Sequence, residues 1–534
     1  MKSKSSILQL LDLEYMTTLF TLDPWIKILA ITLLIGLLGS CKDDEGSERV
    51  NPMVNPIELT VTTDLNPSSY APLSAKLLIE ADTTVQLELI VKGQHGSASD
   101  FKINTSDMAN SHEVDVHGLY AGYENQVEII AKGEDDTILG IDSITILTPA
   151  LIADMPAIEV LHESLDADYP VFHLVNYFGY DVNFVPQRPF LVDQFGDIRW
   201  YLDFSSHELI DEIYLDNGLF HMQNNDIVFS GTGLDQVFIA DLFGNIKQNI
   251  PLGDYTFHHT VIEKPDGHLL LTATKKGRPT VEDIILEVDP ISETLVKVWD
   301  LTESLDQDRL TFAFNPNDWI HVNGITFDER DNTIIISGRY QGLIKLNANN
   351  EVQWILAPHK EWAPSASGTD LNSFLLQPLD QNDKLITDSN LIDGSISTTD
   401  FDWNWYQHSP IILPNGNIMC FDNGLNRHYG ASPLYSRAVE YEIDQTNMTV
   451  KQIWEYGKEL GIEGYSRSVS KVNFVPETNH VSLTPGAIAE SGAPHGRIME
   501  LDKLSKELKL DIKITPPNSY FGITFHNAQR FEFK

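Results

Sequence analysis

The chain has 534 residues, with 36 Lys and Arg against 77 Asp and Glu, giving a formal charge of −41. That charge opposes the polyanionic backbone that dominates nucleic-acid affinity, so DNA and RNA are excluded as partners. At 42% hydrophobic and 10% aromatic the chain is too apolar to remain disordered. Its two cysteines, Cys41 and Cys420, exclude a disulfide framework and any metal site built on thiolates alone.

Behind Lys27, residues 28–39 (ILAITLLIGLLG) form an apolar run shorter than the roughly 20 residues a membrane helix needs, and they read as the h-region of a signal peptide. The run ends in Leu38-Gly39-Ser40-Cys41, which resembles the lipobox of bacterial lipoproteins, whose cysteine becomes the lipidated first residue. Lys42-Asp43-Asp44-Glu45 resembles the signal that carries such lipoproteins to the outer face of the outer membrane. The expectation is a signal peptide at 1–40, lipidation of Cys41 as the one membrane contact, and a bacterial outer-membrane lipoprotein facing the periplasm or the cell surface. A short uncleaved anchor is the alternative. Asp12, Glu14 and Asp23 make the segment before Lys27 long for a signal, so Met16 competes with Met1 as the start.

Residues 41–56 are polar and proline-bearing, a tether with nothing to pack. From 57 to 151 come short runs of period two separated by turn residues, which predict a small immunoglobulin-like β-sandwich. It holds no cluster of titratable groups, so spacing or docking is its expected task.

Residues 154–534 contain a repeat: an apolar strand, a turn opened by Asp or Asn, and a second strand often ending in Trp. The six copies run from Asp193 to Trp200, Asp241 to Ile246, Asp289 to Trp299, Asn347 to Trp354, Asp444 to Trp454 and Asp502 to Leu510. A further strand precedes most copies, at 226–230, 268–271, 333–337 and 417–421. Two hairpins per unit predict four-stranded blades, and six units predict an all-β fold, a six-bladed β-propeller behind the sandwich. The longest step holds an insertion, about 358–400, read as a lid or rim excursion over one face. Cys420 lies in an apolar run and reads as a buried inert thiol.

Aligned on the turn between their first two strands, the units place His259, His321 and His408 at one position. The first strand of a blade lines the central channel, so the three imidazoles converge at one mouth. Arg339 closes the strand after His321 and returns to that mouth. Asn323 lies two residues beyond His321, on the same strand face, and adds a neutral donor. A cationic pocket inside an acidic protein suits a compact oxyanion and group transfer. A three-histidine metal site competes, although Arg339 would repel the ion. With no Gly-rich phosphate loop or nucleotide fingerprint, no cofactor is expected. His173, His221, His428, His495 and His526 share no such position, and Trp362, Trp403 and Trp405 read as packing or as an aryl platform.

The segments Phe257-His258-His259, Asp318-Trp319-Ile320-His321-Val322-Asn323, Ile335-Ile336-Ser337-Gly338-Arg339 and Asp402-Trp403-Asn404-Trp405-Tyr406-Gln407-His408 resemble those of bacterial arylsulfate sulfotransferases. So do Cys420-Phe421-Asp422-Asn423-Gly424, Tyr435-Ser436-Arg437 and Trp454-Glu455-Tyr456-Gly457. The resemblance implies transfer of a sulfuryl group from a phenolic sulfate ester to a phenol, independent of 3′-phosphoadenylyl sulfate, by a ping-pong route through a sulfated histidine. It implies His408 as nucleophile, His259 or its neighbour His258 as acid/base, and His321, Asn323 and Arg339 as sulfuryl ligands. His258 is carried as a substrate contact. Thr260, Gly324 and Ser409-Pro410 depart from the family's usual residues, which puts acceptor choice in question. The partners implied are a small aryl sulfate and a phenolic acceptor, and the oligomeric state stays open. A catalytically inactive surface propeller that binds an anionic ligand or glycan is the rival, and a metal-dependent lyase or hydrolase a third reading.

Overall fold

The computed structural model describes residues 57–165, 167, 170–180, 188–205, 217–489, 492–517 and 521–533, with backbone alone for 177–180 and 217–221. The signal segment, Cys41, the tether and the side chain of His221 lie outside these residues. All described residues fall within one compact unit. No described helix is long and apolar enough to cross a membrane.

The N-terminal strands pair among themselves. The long strand Ala75–Val91 serves two sheets: its first half pairs with Leu59–Leu65 and Ala109–Val116, its second half with Phe101–Asn104 and Glu124–Lys132. Alternate side chains along it, Leu77, Ile79, Val85, Leu87 and Leu89, are buried, which is the period-two pattern of a two-sided sandwich.

Among the described residues six further sheets follow, antiparallel but for one added edge strand. The second to fifth each begin with a four-strand meander: from Asn217–His221 to Ile246–Pro251, from Tyr255–Glu263 to Thr294–Asp300, from Val322–Asp328 to Val352–Leu356, and from His408–Ile412 to Thr449–Tyr456. The sixth runs from Lys471–Val475 to Leu508–Thr515 and gains Ala157–Glu163 as its outer edge. The first is completed from the far end of the chain, because the C-terminal strand Gly522–Phe531 pairs with Phe172–Tyr180. The first strands of consecutive sheets touch in turn, and the C-terminal strand touches both Lys471–Val475 and Asn217–His221, so the circuit closes.

The repeated residues have distinct physical tasks. The Asp or Asn that opens each outer turn accepts backbone N–H groups two to four residues on: Asp193 from Phe195 and Asp197, Asp241 from Phe243 and Asn245, Asn347 from Asn349 and Glu351, Asp502 from Leu504 and Ser505. The side chain thus supplies the acceptor that the turn backbone lacks. The Trp that ends a repeat reaches the next sheet's turn. Trp200 donates to Leu242 O, Trp299 to Asn347 O and Trp454 to Lys503 O, each at 2.8–2.9 Å. These indoles tie neighbouring sheets together.

The insertion is not confined to a lid. Its strand Gln377–Leu379 adds to the outer edge of the fifth sheet, parallel to Thr449–Tyr456. Trp362, Trp403 and Trp405 are buried beside it and donate to Pro358 O, Leu391 O and Asp402, respectively, so they pack rather than present a ring to solvent. Cys420 is fully buried, and burial pushes its thiol well above the ordinary value.

Candidate active site

The innermost strands of the third, fourth and fifth sheets are each irregular where a candidate histidine sits. Pairing shifts register between Phe257 and Val261, between Val322 and Gly324, and between His408 and Ile411. His259, His321 and Ser409 have φ of 56°, 52° and 52°. A bulge re-aims a side chain that a regular strand would point into the neighbouring sheet, and positive φ at non-glycine residues is the local strain that such aiming requires. Gly324 lies at one of these shifts. A Cβ there would stand 2.8 Å from Pro410 Cδ and 3.0 Å from Ser409 N, so Gly324 and Ser409-Pro410 pack together as one unit.

His408 is buried, and its Nδ1 lies 2.7 Å from Asn423 Oδ1. The orientation of Asn423 is set independently, because its Nδ2 donates to Ser466 O at 2.8 Å and Val469 O at 3.1 Å. The oxygen therefore faces the ring, so Nδ1 carries the hydrogen and Nε2 keeps a lone pair. Burial and then the Arg339 cation hold the pKa of His408 well below the ordinary histidine value, against the hydrogen bond to Asn423. The ring is neutral at pH 7. Asn423 directly follows Ile418–Asp422, the second strand of its sheet, as Arg339 directly follows Thr333–Gly338 in the fourth.

His259 and His321 face each other, Nε2 to Nε2, at 3.0 Å. One of the two nitrogens must hold a hydrogen, and the surroundings decide which. Nδ1 of His321 lies 2.8 Å from carboxylate oxygens of both Asp318 and Glu282, with its hydrogen directed at Asp318. Burial disfavours charge on His321, but the carboxylates of Glu282 and Asp318 outweigh it and push its pKa up to about 9. For Glu282, burial is overcome by the imidazoles of His258 and His321 and the Arg339 cation, leaving it at about 2. His259 goes the other way: burial, then the charge of His321, hold it well below the ordinary value. His321 is thus an imidazolium donating to a neutral His259.

Arg339 is tied by its backbone N–H to His321 O at 3.0 Å. Its guanidinium lies 5.6 Å from the ring centres of Tyr340 and Tyr406, its Nε is buried without a partner, and it makes no ion pair among the described residues. Asn323 spends one amide hydrogen on Gln407 O at 2.9 Å and keeps the other. The pocket is less cationic than the sequence implies, because Glu282 and Asp318 balance the two fixed positive charges behind the rings.

His259, Asn323 and His408 line a common cavity. His258, His321 and Arg339 are not among the residues that line it. His258 is buried, its ring 5.2 Å from that of His259 and its nitrogens close to Glu282, while Arg339 lines a smaller neighbouring cavity with Tyr340 and Tyr406. His526 joins the site, contrary to the sequence reading. It lines the cavity with its ring 5.4 Å from that of His259, and burial lowers its pKa to about 4. It sits on the C-terminal strand Gly522–Phe531, which completes the first sheet. His173 lies buried near Glu500, and His428 beside Asp402. Among the described residues the groups close enough to share an ion are His258, His259 and Glu282; Asp266, His268 and Glu287; and Glu282, Asp318 and His321. None unites His259, His321 and His408, and in the last group the donors are already joined as a hydrogen-bonded ion pair.

A neutral imidazole with a free lone pair, an imidazolium pair and an uncommitted guanidinium fit a group-transfer enzyme for a compact anion. Residues 158–520 match the arylsulfotransferase (ASST) family and residues 62–149 its immunoglobulin-like domain. The chain belongs to that family and is an aryl-sulfate sulfotransferase. It is 27% identical over 544 aligned residues to an arylsulfate sulfotransferase of Escherichia coli O6:H1, covering 84% of this chain and 89% of that one. It is 26% identical to one of Lelliottia amnigena, covering 88% and 93%. Among solved structures, a protein of unknown function from Bacteroides caccae is 11% identical, covering 66% of this chain and 98% of that one, with a TM-score of 0.37. A likeness of that size carries no argument.

Proposed function

We propose that the six sheets are the blades of a six-bladed β-propeller, and that the site at their convergence moves a sulfuryl group from a phenolic sulfate ester to a phenolic acceptor by a ping-pong route, without 3′-phosphoadenylyl sulfate. The observation that supports this best is the Nε2 lone pair of His408, held in one tautomer by Asn423 beside the uncommitted Arg339. In the first half-reaction Nε2 attacks sulfur, a sulfur–nitrogen bond forms and the bond to the aryl oxygen breaks. Arg339 and Asn323 bind the non-bridging oxygens, where charge-assisted hydrogen bonds are worth about 1.5–3 kcal/mol each.

The leaving phenolate takes a proton from His259. Neutral at pH 7, that ring has little acidity of its own, and His321, 3.0 Å away and protonated, restores the proton it gives up. His321 thus acts through the pair as well as by its charge. In the second half-reaction His259 takes the acceptor's proton, the phenol oxygen attacks sulfur and His408 is released.

The test is nitrophenolate release from 4-nitrophenyl sulfate with and without phenol. Release that requires the acceptor, is abolished in His408→Ala, and leaves one SO₃ unit on the peptide carrying His408 is expected. Binding of aryl sulfates with no turnover would overturn the proposal in favour of an inert anion-binding propeller, and loss of turnover on chelation in favour of a metal enzyme. We further propose that lipidated Cys41 anchors the protein to the outer membrane. Cys41→Ala is then expected to move it from the membrane fraction to the soluble one.

A further inference from the structure

The cavity that opens beneath His259 and His408 has a volume of about 260 Å³, close to the few hundred Å³ of small-molecule sites. Its walls are partly apolar, with Ile262, Ile325 and Ile411 among them, and no Asp or Glu lines it. In a chain with twice as many acids as bases, that absence is selective. One formal cation, Lys471, faces the space.

Three other lysines of the six sheets that are buried or nearly so are paired with acids. Lys264, with 8% of its side chain exposed, lies 2.7 Å from Glu287. Lys345, at 6%, lies 2.8 Å from Asp328 and 2.6 Å from Asp331. Lys503, at 16%, lies 2.8 Å from Glu440. Lys471 makes no ion pair among the described residues, and its hydrogen bond is a long one, 3.3 Å, to the neutral Gln529 Oε1. Burial lowers its pKa to about 8 with no nearby charge to oppose it, so it is still largely protonated at pH 7. Lys471 is half-buried, and a cation partly withdrawn from water without a counter-ion is costly, a cost that an incoming anion reduces. His526 beside it stays neutral and the amides of Asn473 and Gln529 are uncharged, so nothing else in the wall supplies the missing negative charge.

We propose that Lys471 is a specificity-determining anion receptor, which takes the carboxylate of an aryl substrate whose ring lies between the isoleucine walls and whose phenolic oxygen faces His408 and His259. The inference rests on the sulfuryl-transfer reading for the identity of the ring, and it selects acidic phenols of the hydroxybenzoate kind over neutral ones. The same Lys471 could meet a carboxylate on the ring or a free inorganic anion, and the continuity of the cavity with both histidines favours the first.

Binding tests this without turnover, so its outcome is separate from that of the transferase assay. The purified full chain is titrated calorimetrically with 4-hydroxybenzoate, phenol, acetate and sulfate, alongside Lys471→Met and Lys471→Arg checked for folding by circular dichroism. The expected result is at least tenfold tighter binding of 4-hydroxybenzoate than of phenol, weak acetate and sulfate, loss of the preference in Lys471→Met and its retention in Lys471→Arg. Equal affinity for the two phenols in the unaltered chain would overturn the proposal, as would a preference that survives Lys471→Met. Acetate or sulfate binding as tightly as 4-hydroxybenzoate would overturn it in favour of a free-anion site.

Discussion

Glu282→Gln isolates the charge that keeps His321 protonated. The substitution keeps the shape of the side chain and removes one of two carboxylates within 2.8 Å of Nδ1. The ordinary histidine value of 6.5 is raised to about 9 in the folded protein, a rise of about 2.5, with Glu282 the largest of the contributions that raise it. At 1.36 kcal/mol per unit, the site holds the imidazolium about 3 kcal/mol more firmly than water does. An opposite charge at this distance is worth roughly 1 to 3 units, so the variant should lose at least one. The group's pKa is raised on folding, so the folded enzyme holds the proton until pH rises through about 9, while the stability that proton contributes is fully present below 6.5 and lost as pH rises through about 9. Activity that depends on the proton has an alkaline limb centred near about 9, which Glu282→Gln should move at least one pH unit toward neutrality. The assay is kcat/KM between pH 6 and pH 10 with phenyl sulfate, whose poor leaving group needs the proton. An unmoved limb in a folded variant would refute the charge assignment. The thermal midpoint has the same sign: the stability that this pair contributes fades from pH 6.5 to about 9 in the parent chain and should fade less in the variant.

Asn423→Asp replaces the amide that holds His408 with a carboxylate, raising the imidazole's pKa. Since attack needs the neutral ring, the acid limb of the rate profile should move to higher pH, while Asn423→Leu, which frees Nδ1, should lower kcat on the order of 10²-fold or more by releasing the tautomer. A kcat unaltered in Asn423→Leu would show that the ring needs no such hold. Arg199 is fully buried, donates to Asp193 and to Gly118 O at 2.9 Å each, and lies 3.6 Å from the ring centre of Tyr120, so it joins the N-terminal strands to the first sheet. Arg199→Met leaves Asp193 buried and unpaired, which should cost about 3–5 kcal/mol in denaturant unfolding, and adding Asp193→Asn should recover part of the loss.

What the sequence made legible depends on how local the physics is. The turn-opening Asp or Asn and the sheet-linking Trp recur because each does its task within a few residues or against the next repeat, with Trp200, Trp299 and Trp454 each closing the hairpin that its turn opens. The pairing of Gly522–Phe531 with Phe172–Tyr180 reaches across all the sheets between them and repeats nothing, so His526 could not be set beside His259 by counting. The attachment of Gln377–Leu379 to a sheet edge was hidden likewise, since a parallel addition three residues long has no periodicity to betray it. The histidine positions were readable because each occupies the same step of its sheet. Their protonation states were not. Glu282 comes from a loop of the third sheet and Asp318 from the turn before His321, and only the fold brings both carboxylates to one nitrogen. Equivalent positions therefore carry unequal charge: one ring is kept protonated by two anions, its partner is kept neutral by that charge, and the third is held as a nucleophile by an amide. Spacing brings three like residues together, and only unlike surroundings contributed by other strands give them different tasks.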